Sequence, residues 1–235
     1  MKIPDEIRNK MFERPLSPGL WKTSTEYTAL ALLKFCEGEP YRFMRHADAP
    51  DLQDLNRNVG IEVTEAITKE QAQVNGEFVK LSESNDPNEK DKSRQIILDR
   101  GVDLPDDWMM VFPPVSATDE KHIVLNAFES KLDKATVYRR KGFSQLGLFI
   151  YIEKPIFNDT RAYGYKWLSS AQADRTDKYD FVYLGYRDGL LLFDFTIKKC
   201  KDYHIPTMDM VGLQHLGRMT AEGEISPDDP IWTNG

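Results

Sequence analysis

Val59, Ile61 and Val63 alternate with Gly60, Glu62 and Thr64. That period of two lays the apolar residues on one face of a β-strand and puts Glu62 and Thr64 together on the other. Residues 52–55 lie just upstream across the polar turn Asn56-Arg57-Asn58, so the two segments are expected to pair as a β-hairpin. Before them, Thr23-Ser24-Thr25-Glu26 has the form of a capping box, with Thr23 as N-cap and Glu26 at N3. Tyr27, Leu30, Ala31 and Phe35 follow at helical spacing, and Gly38 is a C′ stop. Residues 41–44 are expected to form a strand. Residues 1–22 hold Pro4, Pro15, Pro18 and Gly19 and are expected to be an irregular arm.

Further on, 68–81 reads as a helix capped by Thr68, and the charged, Pro-containing 82–93 as a loop. Residues 96–115, with Pro105, Pro113 and Pro114, fit no regular element. The stripe Val124, Ala127, Phe128, Leu132 and Ala135 predicts one long helix over 118–138, closed by Arg139-Arg140-Lys141 and ended by Gly142. The near-continuously apolar 146–153 is expected to be a buried strand. Residues 179–186 and 190–197 form a second hairpin about Arg187-Asp188-Gly189. The order predicts an α/β (α+β) fold, a mixed sheet flanked by helices. It is expected to be one domain over 23–219, with an insertion near 82–117, a C-terminal β-hairpin extension and a peripheral tail over 220–235.

The 235 residues suffice for one well-buried domain, and 40% hydrophobic with 29% charged residues suits a soluble globular protein. No apolar run is long enough to span a bilayer, and the N-terminus lacks the apolar core of a signal peptide. With only Cys36 and Cys200, neither a disulfide framework nor a cysteine zinc site is indicated, and a cytoplasmic location is expected. The net charge of −7 counts against a broad nucleic-acid-coating surface but leaves room for a focused groove. There is no phosphate-binding glycine loop and no G-x-S-x-G elbow. His46 and Asp48 stand near Asp51, but His122, His204 and His215 show no zinc-ligand spacing.

Candidate chemistry centres on the hairpin. Asp51, in Ala49-Pro50-Asp51 at the start of the first strand, and Glu62 on the second bring two carboxylates together, a seat for a hard divalent cation. That arrangement points to a metal-dependent phosphodiesterase. A helix, a hairpin carrying these acids, a long helix and an apolar strand, in this order over residues 23–153, resemble the core of the PD-(D/E)xK nuclease superfamily, which has the restriction-endonuclease fold. Pro50-Asp51 is similar to its PD motif and Glu62-Val63-Thr64 to its E-x-K motif.

The resemblance implies Mg2+ or Mn2+ held by Asp51, Glu62 and the backbone carbonyl of Val63, and endonucleolytic hydrolysis of DNA, for which a homodimer would suit double-strand cutting. The usual lysine is replaced by Thr64, whose hydroxyl can bind a metal-linked water but brings no positive charge. A migrated lysine is sought among Lys69, Lys131 and Lys134, with Lys134 preferred because it lies on the helix expected to flank the sheet. Glu26 and Gln71 are further candidates for the site. Arg139, Arg140 and Lys141 are candidates for phosphate binding, although cations at a helix C-terminus also complement the helix dipole. The alternative function is a nuclease-like fold that binds protein or nucleic acid and no longer cuts.

Overall fold

The computed structural model describes residues 1–106, 109–113, 116–152 and 154–232. A short helix α1 (Asp5–Arg8) and a 3-10 turn (Pro18–Leu20) lead into α2 (Trp21–Glu37). Three strands follow, β1 (Arg45–His46), β2 (Leu52–Asp54) and β3 (Val59–Glu65). Next come α3 (Lys69–Glu83), α4 (Pro87–Asp99) and the small hairpin β4 (Asp103–Asp106) and β5 (Met109–Val111). Helices α5 (Ala117–Glu129) and α6 (Leu132–Arg140) precede β6 (Gln145–Tyr151) and α7 (Asn158–Ala171). The chain closes with β7 (Phe181–Tyr186), β8 (Gly189–Asp194), β9 (Lys199–His204) and α8 (Thr207–Ala221).

The main sheet has the order β1-β2-β3-β6-β7-β8-β9. Its centre, β3-β6-β7, is parallel, and both flanks are antiparallel. This is the mixed α/β architecture expected from the element order. Central strands are covered on both faces, so β6 is apolar on both: Phe149 packs with α2 and α8, while Leu148 and Ile150 pack with α5, α6 and α7. A third, smaller core of Val74, Phe78, Leu81, Ile97 and Val102 joins α3 and α4. Among the described residues no helix is long and apolar enough to cross a membrane.

Both hairpins, the α3 cap on Thr68 and the buried strand β6 form where the pattern places them; the end of the expected strand at Glu153 lies outside the described residues. Several expectations are corrected. The arm is partly helical, with Ile3 and Ile7 of α1 and its approach buried. Residues 41–44 are not a strand but the end of a 3-10 turn (Glu39–Tyr41) and a further turn closed by the Met44 N–H on the Tyr41 carbonyl. There Tyr41 and Met44, three apart, are buried, which is turn rather than strand spacing. Residues 82–93 are not all loop: Asp86 caps α4, and Pro87 sits at its first position, where a missing N–H costs nothing. With only Ser93 and Ile97 buried, α4 leaves almost no apolar stripe to read.

The long helix expected over 118–138 is two helices, broken at Ser130-Lys131. Ser130 Oγ donates to the Ala127 carbonyl at 2.8 Å, and Tyr179 Oη donates to the Lys131 carbonyl at 2.8 Å. These bonds replace helical ones and let the chain turn. The stripe runs unbroken across the joint through Phe128 and Leu132, so periodicity does not reveal it.

Helices α7 and α8 and strand β9 were not anticipated. Helix α8 lies close on α2: a Cβ on Gly217 would stand 2.7 Å from the Thr28 backbone nitrogen. Gly217→Leu is therefore expected to cost about 1–3 kcal/mol by overpacking, lowering the melting temperature by about 2–12 °C. An unchanged melting curve would show that the two helices can separate freely. At the C-terminal end, Trp232 is buried against Tyr27, and its carbonyl accepts from Lys34 Nζ at 2.8 Å.

Candidate functional site

The acids meet where β2 parts from β3. Pairing between these strands ends at Leu52 and Ile61, so the next inward-facing amide of β3 lacks a strand partner there. Asp51 supplies it: its Oδ2 accepts from the Val63 N–H at 2.8 Å. In an extended strand a residue's N–H and C=O share one edge, so the Val63 carbonyl also faces Asp51. Gly60 makes the approach feasible, since a Cβ there would stand 2.5 Å from the Pro50 ring.

Glu62 projects from β3 to the side of α6. Its Oε1 accepts from Lys131 Nζ at 2.8 Å, and its Oε2 accepts from the Tyr138 hydroxyl. On the other side, α2 contributes Glu26, whose Oε2 is 2.6 Å from His46 Nε2. Lys22 Nζ stands between Glu26 Oε1 at 3.0 Å and Asp51 Oδ1 at 3.2 Å. Because α2 begins at Trp21 with no side-chain cap, Glu26 is not a capping residue. This corrects the expected capping box and leaves its buried carboxylate to the site.

Three buried acids crowd one another: Glu26, Asp51 and Glu62 are only 4–5% exposed. Burial, joined by the charges of Glu62 and Glu26, pushes the Asp51 carboxyl up to about 6, against the pull of the Val63 N–H. Burial also pushes Glu26 up, but hydrogen bonds from His46, Lys22 and Asp51 outweigh it and leave Glu26 below its ordinary value. Of the two, Asp51 is therefore the carboxyl whose ionisation is disfavoured. Tyr138 is held above its usual range by burial and by the Glu62 carboxylate, so it stays a donor.

Among the described residues, no group of three or more His, Cys, Asp or Glu is arranged to hold a metal ion. Mg2+, however, takes only one or two protein carboxylates and keeps several waters. Asp51 and Glu62 are two such carboxylates, and the burial and neighbouring negative charges that raise Asp51 are what a nearby cation would offset.

The remaining candidates divide. Thr64 lines a cavity of about 940 Å³ beside the site, together with Lys69 and Gln71. Gln71 is committed to the α3 capping box, its Oε1 accepting from the Thr68 N–H at 2.8 Å. Of the candidate lysines, Lys131, beside the break between α5 and α6, reaches Glu62, whereas the preferred Lys134 has its Nζ 6.0 Å from the Tyr138 ring centre and makes no ion pair with Glu62. Arg139 is engaged by Asp180 at 2.8 Å and by the Lys178 carbonyl at 3.2 Å, so its guanidinium is structural. Arg140 is exposed, and Lys141 Nζ donates to the Ala49 carbonyl at 3.0 Å, beside the Pro50-Asp51 loop.

Sequence reasoning missed Lys22, Tyr138 and Tyr179. The i,i+4 spacing of Lys22 and Glu26 was a usable signal. Tyr138 and Tyr179 carry none, because their rings belong to the apolar core and only the hydroxyls reach the site. No family model, curated protein or solved structure matches the chain.

Proposed function

We propose that the protein is a metal-dependent phosphodiesterase that cleaves DNA, with a PD-(D/E)xK-like site in which Lys131 replaces the lysine missing at position 64. One observation carries this reading: buried Asp51 and Glu62 converge at the end of the β2–β3 hairpin, with an ammonium group 2.8 Å from Glu62. Asp51, Glu62 and the Val63 carbonyl would hold Mg2+ or Mn2+. A divalent ion there supplies a bound water of lowered pKa and neutralises phosphate oxygens. Lys131 is positioned to stabilise negative charge developing on the phosphate. Tyr138 fixes the Glu62 carboxylate, and Tyr179 fixes the backbone from which Lys131 extends.

A second reading has its own support. Lys22, Lys131, Tyr138 and the Val63 N–H together satisfy the acids without any metal, as in a nuclease-like fold that binds but does not cut. Plasmid and single-stranded DNA incubated with Mg2+, Mn2+ or EDTA distinguish the two. Metal-dependent cutting by the wild type that disappears in Glu62→Ala is the expected result. Folded wild type that leaves both substrates intact with either metal would favour the binding module.

A further inference from the structure

The 940 Å³ cavity lies at the carboxyl end of β3, the end at which parallel strands of open α/β sheets receive ligands. Thr64, on the same face of β3 as Glu62, opens onto it, as does Ser130, the neighbour of Lys131. A second cavity of about 380 Å³ shares Glu65, Ile67 and Phe112 with the first and extends to Trp21 of α2. Together they form a trough across the strand end, starting beside the candidate site.

The chemistry of the trough is unlike that of a surface for duplex DNA. Among the described residues its cations Lys69, Arg100 and Lys154 are matched by Glu65, Glu70 and Asp119, so these offer no net positive charge to track a phosphate backbone. Its walls instead offer apolar and aromatic faces with hydrogen-bonding groups between them. Phe112 carries Lys154 Nζ 5.7 Å from its ring centre, Ile67 is 38% exposed, and Asn126 borders the same space. Unstacked bases are bound by such surfaces: each has an apolar face and a hydrogen-bonding edge, whereas paired bases present neither to a concave pocket.

Resting on the phosphodiesterase reading, we propose that this trough binds single-stranded DNA through its bases, so that the preferred substrate is an unpaired strand or a flap rather than a continuous duplex. Bases beside the scissile phosphate lie against Phe112 and Ile67, and the phosphate itself sits at Glu62 and Lys131.

Fluorescence anisotropy with a fluorescein-labelled 12-nucleotide single strand, and with the blunt duplex of the same sequence, tests this in EDTA, where no cutting is needed. Wild type is expected to prefer the single strand, with a salt dependence of slope about 2 or less in log–log form. Asn126→Glu, at an exposed helix position, and Ile67→Glu each place a negative charge against the trough. Both should weaken single-strand binding by about fivefold or more, with duplex binding unaffected. Equal affinity for the two DNAs, or single-strand binding that ignores both substitutions while melting temperatures stay unchanged, would overturn the proposal. Failure of the nuclease reading would show separately, as absence of cutting in the cleavage assay.

Discussion

Replacing Lys131 by Met is expected to slow metal-dependent DNA cleavage by about 10²–10³-fold, the usual cost of removing a preorganised group that stabilises developing charge. Adding Thr64→Lys to the same chain should restore part of that loss. Thr64 lies two residues beyond Glu62 on the same face of β3 and borders an open cavity, so a lysine there has room to reach the same carboxylate. Lys134→Ala, removing an exposed ammonium that sits over the Tyr138 ring and makes no ion pair with Glu62, should leave the rate within a factor of about two. Removing Lys131 also leaves buried Glu62 with Tyr138 alone, so rates must be compared well below each variant's melting temperature. If Lys131→Met cuts as fast as wild type, the positive charge comes from elsewhere, and Lys22 becomes the candidate.

Asp51→Asn should abolish cleavage and yet make the metal-free protein more stable at pH 8. In the folded chain burial first, then the charges of Glu62 and Glu26, raise the Asp51 carboxyl from 3.8 to about 6, although the Val63 N–H opposes them. A carboxyl raised on folding binds more protons in the folded than in the unfolded state between those values. Its stabilising contribution is therefore complete below about 3.8 and lost as pH rises through about 6. Above that, ionised Asp51 is a cost. Asparagine removes the cost but also gives up the contact with Lys22, an exposed lysine whose ion pair is weak.

The net gain is expected to be about 1–2 kcal/mol in EDTA at pH 8, a rise of about 2–8 °C in melting temperature that shrinks towards zero below pH 4. Added Mg2+ should reverse the order. At 100 times its dissociation constant it stabilises wild type by about 2.7 kcal/mol and leaves the asparagine variant unmoved. Thermal melts of both proteins with and without Mg2+ provide the check. A variant less stable than wild type at pH 8 in EDTA would mean that the carboxylates do not repel one another as described.

Such a conflict between stability and chemistry is expected where like charges are held together out of water, and the meeting of these two acids is legible in the sequence. The alternation around Glu62, the polar turn before it and Asp51 at the head of the partner strand are local patterns. Period, turn chemistry and chain reversal suffice to bring those two acids near each other. The Thr68 cap and the apolar run of β6 are legible for the same reason, since their causes lie within a few residues.

The rest depends on groups far apart in the chain. Glu26 looked like a cap because its four-residue context fits one; that α2 starts earlier follows from the 3-10 turn ahead of it and from packing against α8. Lys131 lies in an unbroken apolar stripe, and it is turned to Glu62 by a break held partly by Tyr179, 48 residues away. Helices α7 and α8 likewise gain their stability from burial against elements distant in sequence, whereas β9 is an exposed edge strand held by backbone pairing to β8 and so shows no apolar alternation to read. Local pattern fixes where a chain turns and which face is apolar. The partner of a buried charge is chosen only when long-range packing excludes water and makes leaving that charge unpaired the costlier outcome.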